Sequence, residues 1–139
     1  MKHGRALYSI LKNDTPVKDK LLISGGDDIR FYAQRIPQGV EDFPSVTYKT
    51  ISNNPFNTKS GSGTYRARVQ VNVYDITYKK AENLASLIED ALGDKPYGVY
   101  DTVTVHTIKT INNFDNTEDF ARGQGLFHFI VEFMITYNK

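Results

Sequence analysis

The stretch Thr64-Tyr65-Arg66-Ala67-Arg68-Val69-Gln70-Val71-Asn72-Val73-Tyr74-Asp75, with Ile76-Thr77 and the run to Leu92 behind it, decides how this chain folds. Tyr65, Ala67, Val69, Val71 and Val73 share one parity, and Arg66, Arg68, Gln70 and Asn72 share the other. Side chains alternate across a strand, so this pattern predicts a central strand with one apolar and one hydrated face. After it, Ala81, Leu84, Ala85, Ile88 and Leu92 recur at intervals of three and four, the spacing of a helical stripe. Thr77 suits the N-cap, where its hydroxyl accepts from a free backbone N–H. Gly93 suits the residue after the helix, where a left-handed conformation is cheap only for glycine. A helix leaving such a strand after one short turn lays its stripe back on the strand's apolar face, and that layer is the expected core.

Working outward toward the amino end, Leu7, Ile10 and Leu11 mark a first helix from about Arg5 to Lys12. Asn13-Asp14-Thr15-Pro16 ends it, and Pro16 can open a further turn carrying Val17, Leu21 and Leu22. Ile29–Gln34 and Ser45–Ser52 read as strands, followed by a polar loop from Asn53 to Gly63. Toward the carboxyl end, Tyr97-Gly98-Val99-Tyr100 reads as an aromatic turn. Val103–Ile111 reads as a strand, Asn112–Gly125 as a second long polar loop, and Leu126–Tyr137 as a final strand. The order predicts an α+β fold: a mostly antiparallel β-sheet with helices packed on one face and two long polar inter-strand loops. At 139 residues one domain is expected.

Composition narrows the function. Lys and Arg number 17 against 16 Asp and Glu, with the signs interspersed, so no basic footprint for nucleic acid or a membrane surface is visible. The chain has no cysteine, which removes thiol nucleophiles and thiolate metal sites. No apolar run approaches the ~20 residues of a membrane span and no signal peptide is apparent, so a protein that stays in the compartment of its synthesis is expected.

The search for chemistry is mostly negative. No phosphate-binding or dinucleotide-binding glycine pattern opens a helix. The glycine pairs Gly61–Gly63 and Gly123–Gly125 stand in loops leading into strands, where phosphate cradles do not form. His106 and His128 fit neighbouring strands, with Glu132 the nearest carboxylate for a two-histidine metal site; two ordinary polar-face residues are the plainer reading. Asn113-x-Asp115-x-Thr117-x-Asp119 has calcium-loop spacing but lacks the turn glycine and the twelfth-position glutamate. No nucleophile stands beside an obvious base. No catalytic residue, cofactor or metal ligand is assigned, and the chain is not read as an enzyme.

Two features point to association instead. Arg66 and Arg68 project from one strand face, and arginine joins apolar area to hydrogen bonding in the way interfaces favour. The two long loops can project as arms, carrying Asn54, Phe56 and Lys59 on one and Phe114, Asp115, Asp119 and Arg122 on the other. A solvated face and mobile loops are the plainer alternatives.

Taken in order, these stretches resemble the tail-completion proteins of long-tailed bacteriophages, also called tail terminators or tail-to-head joining proteins. The resemblance is carried by Ala6–Leu11, Ile36–Gly39 running through Phe43–Tyr48, Arg66–Tyr74, Thr77–Ala85 and Phe133–Tyr137. It implies a structural virion protein that forms a ring, usually a hexamer. The ring caps the tail tube, ends its polymerisation and meets the head connector or a head-completion protein. It further implies a virion location, with the bacterial host cytoplasm as the place of assembly. Genome DNA would pass through without sequence-specific contact. Arg66 and Arg68 would then serve subunit contacts, meeting Glu82, Glu89 or Asp90 of an adjacent copy. A head-completion or neck protein of the same machine and a small-ligand-binding α+β domain are the alternative readings.

Overall fold

The computed structural model describes residues 2–23, 25–36, 43–55, 63–93, 95–116 and 127–138, with residues 115 and 116 described by their backbone alone. Three helices and six strands follow in the order α1 (Lys2–Lys12), α2 (Thr15–Leu21), β1 (Phe31–Ala33), β2 (Ser45–Pro55), β3 (Thr64–Asp75), α3 (Tyr78–Leu92), β4 (Gly98–Tyr100), β5 (Val103–Asn116) and β6 (Phe127–Asn138). The strands form one sheet in the order β1-β2-β3-β6-β5-β4. All pairings are antiparallel except β1 with β2. The α+β class read from the sequence is therefore the class observed.

The alternation in β3 places it at the centre. Val69, Val71 and Val73 stand beside Phe133, Val131 and Phe129 of β6. The three valines, Val131 and Phe133 are fully or almost fully buried, with Leu84, Ile88 and Leu92 of α3 and Leu7 and Leu11 of α1. Helices thus cover one face of the sheet, and the apolar side chains between the layers stabilise it by about 1.5–3 kcal/mol each. Thr77 caps α3, its hydroxyl accepting from the Lys80 N–H at 3.3 Å. Asp14 caps α2 in the same way, accepting from the Val17 N–H. Arg30 ties the entry of the sheet together, its guanidinium donating to the carbonyls of Lys20, Leu22 and Pro44 at 2.7–3.0 Å.

Several expectations need correction. The first helix begins at Lys2, because His3 and Gly4 are buried against the sheet. The strand expected over Ile29–Gln34 shrinks to Phe31–Ala33, with Ile29 in an isolated bridge to Leu22. The aromatic turn at Tyr97–Tyr100 contains the edge strand β4. The polar stretches Asn53–Pro55 and Asn112–Asn116 are strand, because β3 and β6 offer partners as far as Tyr65 and His128. Pairing overrides the weak strand preference of asparagine. Gly93 is not left-handed: its φ is −66°. A side chain is excluded there for another reason, since a Cβ would stand 2.6 Å from the Glu89 carbonyl oxygen and 2.8 Å from Thr110 Oγ1.

Candidate interface

The sheet face opposite the helices is not the simply hydrated surface that the parity of β3 suggests. Arg68 reaches diagonally across to Glu132, with Nη2 at 2.6 Å and Nε at 2.8 Å from one carboxylate oxygen. Gln70 Nε2 donates to Asn72 Oδ1 at 2.9 Å, and the same oxygen lies 2.9 Å from His128 Nε2. The His128 ring stacks on Tyr74, centroids 4.4 Å apart. Asn72, His128 and Glu132 are all under a tenth exposed. This is a largely desolvated polar layer joined by hydrogen bonds and an ion pair across β3 and β6.

The structure separates the residues that the sequence grouped as interface candidates. Asn54 and Arg66 face each other across the β2–β3 pair, both exposed. Phe114 is 42% exposed and stands opposite Ile130. Asp115 lies on β5 opposite Phe129, with only its backbone described. Phe56, Lys59, Asp119 and Arg122 lie outside the described residues. The two loops leave from opposite ends of the sheet. Pro55 and Thr64 sit at the end of Asn138, whereas Asn116 and Phe127 sit at the end of Asp75. The candidates therefore belong to two regions rather than one. Arg68 finds a carboxylate within its own chain.

A groove of about 410 Å³ lies between α3 and the far half of the β5–β6 pair. Glu82 and Glu89 line one side, and Asn113, Phe114 and Phe129 the other. Asn113 Nδ2 donates to both Glu89 carboxylate oxygens at 3.2 and 3.3 Å. Tyr78 closes one end, its ring edge-on to Phe127 and Phe129. The lining mixes the acidic Glu82 and Glu89 with the apolar Ala85, Phe129, Ile130 and Val131.

Among the described residues no group of three or more metal-ligating side chains converges. His106 and His128 do lie on neighbouring strands but near opposite ends: His106 Nε2 is 2.7 Å from Asn138 Oδ1, whereas His128 stands opposite Tyr74 and Asn116. Asn113 and Asp115 of the calcium-like spacing are in extended strand, where successive ligands do not curl around an ion. His3, assigned no role from sequence, is fully buried between α1 and the sheet. Its Nε2 is 2.8 Å from Thr50 Oγ1 and its Nδ1 3.3 Å from the Tyr137 hydroxyl, which donates to Asn53 Oδ1 at 2.9 Å. Burial pushes the His3 imidazole down to a pKa of about 4.

β2 and β5 also share a repeat that the periodicity of neither strand alone displays. Thr47-x-Lys49-Thr50-Ile51-x-Asn53 on β2 returns as Thr107-x-Lys109-Thr110-Ile111-x-Asn113 on β5. The ladder to the inner neighbour skips at the isoleucine in both strands. A search for internal similarity would have found it.

The family model described as "Tail completion protein gp17" matches residues 5–138. The chain is similar in fold to one from "Virion of native gene transfer agent (GTA) particle", at 15% identity and a TM-score of 0.74, over 98% of this chain and 94% of that one. A second solved chain is similar at 14% identity and a TM-score of 0.52, over 99% of this chain and 94% of its own. No curated protein matches the sequence.

Proposed function

The chain belongs to the tail completion protein gp17 family, and from that premise we propose that it is a structural virion protein whose copies close into a ring on the end of a phage tail tube. Six copies make the ring. It stops growth of the tube and offers its other side to the head connector or a head-completion protein. The work is mechanical: the chain acts as a building block and not as an enzyme, and genome DNA passes through the ring without base-specific contact. The protein resides in the virion and reaches it from the host cytoplasm during assembly.

The observation that carries this reading is the span of the family match, which runs from α1 to the last strand. The geometry supports it in two ways. Arg68 and Glu132 pair inside the chain, which supports a contact made by the exposed Asn54 and Arg66 at one region and by Phe114 at the other, with Asp115 assigned beside Phe114. Two separated patches suit a head-to-tail contact, in which one surface of a copy meets a different surface of the next. The loop residues Phe56, Lys59, Asp119 and Arg122 are assigned to the same contacts or to the tube and connector.

The test is solution mass by light scattering, for the protein alone and after mixing with assembled tail tubes, with tube length read by electron microscopy. Capped tubes of fixed length bearing a closed ring support the proposal. A protein that stays monomeric and leaves tube growth unaltered overturns it.

A further inference from the structure

Two strands run on past the short strands that flank them. β1 follows β2 only as far as Tyr48. β4 follows β5 only over Val103–Val105, with one further bridge between Lys95 and Ile108. Among the described residues no strand lies along the outer side of Lys49–Pro55 or of Lys109–Asn116. A row of outward backbone N–H and C=O groups is a template for another chain.

These two edges carry the repeated motif. Ile51 and Ile111, the residues at which each ladder skips, are 46% and 44% exposed, and Phe114 on the same edge is 42% exposed. Lone exposed apolar residues are ordinary. Three on two edges that no described strand covers, two of them at equivalent positions of a repeat, mark surfaces built to be covered.

We infer that these edges are the two halves of one contact between copies: Lys49–Pro55 of one copy adds as an antiparallel strand to Lys109–Asn116 of the next. The direction follows from the topology. β2 opposes β3, β3 opposes β6 and β6 opposes β5, so β2 and β5 run in opposite senses. Two copies laid side by side with the same face outward therefore meet in antiparallel pairing, which forms the straighter hydrogen bonds. The edges lie on opposite sides of the sheet, so each contact leaves a free edge for the following copy, as a closed head-to-tail ring requires. With Lys49 set opposite Asn116, which displaces one copy along the strands by about four residues relative to its neighbour, Ile51 falls opposite Phe114. Lys49 and Lys109 fall at opposite ends, so like charges stay apart. Lysine and bulges also blunt an edge against indiscriminate pairing, which makes each contact weak alone and favours assembly on a template. The inference rests on the ring reading for its closure, but it gives the mode of contact, strand added to strand, which that reading does not.

The chain has no cysteine, so introduced thiols report the contact without background. Ile51→Cys and Phe114→Cys, both at exposed positions, are made singly and together, and their melting temperatures are checked against the parent. Under mild oxidation on tail tubes, the double variant gives a ladder of cross-linked species ending at the ring. An equal mixture of the two single variants gives dimers and nothing larger, and either single variant alone gives monomer. Rings of the expected mass with no cross-link, or dimers from one single variant alone, overturn the edge contact while leaving the ring standing. The absence of any oligomer, on tubes or off, overturns both.

Discussion

Arg68 and Glu132 hold each other across the central strand pair, with two guanidinium nitrogens on one carboxylate oxygen at 2.6 and 2.8 Å. The pair is lopsided. The Glu132 side chain is 11% exposed, whereas that of Arg68 is 44% exposed. Removing the arginine strands a carboxylate that water barely reaches, whereas removing the carboxylate leaves a guanidinium that water can solvate. Arg68→Met is therefore expected to cost on the order of 2–3 kcal/mol, and Glu132→Gln about 1 kcal/mol. Urea unfolding of the two variants checks the order, and equal losses would refute it. Charge reversal at Arg68 would report on folding before it reported on assembly, so it is a poor probe of a ring.

The His3 imidazole makes stability depend on pH in a defined window. Its pKa is about 4 in the folded protein against 6.5 for the free group. Between those values the unfolded chain binds the extra proton and the folded chain does not. Stability therefore rises with pH from about 4 to 6.5, is fully present above 6.5, and is lost as pH falls. A shift of this size corresponds to about 3 kcal/mol across the window. Melting temperature is measured from pH 4 to 7 for the parent and for His3→Gln, which cannot take up the proton. The parent curve is expected to be the steeper, and parallel curves would sink the argument.

The contrast between His3 and β3 shows what the sequence discloses. The β3 alternation and the α3 stripe were legible because the same side chains that report the period also fill the core. His3 and Gly4 were not, because neither belongs to an apolar stripe, and their burial is set by Thr50, Tyr137 and Tyr48 far along the chain. The strand ends at Asn53–Pro55 and Asn112–Asn116 were hidden for a similar reason: their conformation is decided by partners on β3 and β6. At the candidate interface, Arg66, Asn54 and Phe114 were recognisable as exposed positions. The Arg68–Glu132 pair was not, since a diagonal contact depends on register, and register is not written in either strand alone.

Gly4 lies inside α1, where replacing glycine by alanine ordinarily stabilises a helix by up to about 1 kcal/mol. Here the sign is expected to reverse. A Cβ on Gly4 would run into the Tyr48 hydroxyl and stand 2.8 Å from Tyr48 Cζ. The ring cannot simply swing away, because it stacks on Phe31 with centroids 5.0 Å apart. Gly4→Ala is expected to destabilise by about 1–3 kcal/mol. Adding Tyr48→Phe removes the nearest atom and should recover part of the loss, a coupling that a double-mutant cycle measures. A stabilised Gly4→Ala variant, or strict additivity, would show that the ring yields.

The turn joining β4 to β5 carries strain that one substitution can relieve. Tyr100 pairs with Val103, leaving Asp101 and Thr102 as a two-residue hairpin loop. Both have positive φ, 48° and 64°, the pattern of the mirror-image turn that favours Asn-Gly or Asp-Gly. Asp101 suits its place. Thr102 does not, because a β-branched side chain is crowded in the left-handed region. Its hydroxyl accepts from Arg5 Nη2 at 3.2 Å, at an exposed site, and such a bond adds little in water. Thr102→Gly completes the Asp-Gly pair and is expected to stabilise the fold by about 1 kcal/mol, raising the melting temperature by roughly 3 °C. Thr102→Ala separates the two effects. It loses the hydroxyl as glycine does but keeps a Cβ in the crowded region, so it should gain less than Thr102→Gly. If alanine matched glycine, branching alone would be the source of the strain, and if both were destabilised, the Arg5 contact would outweigh it.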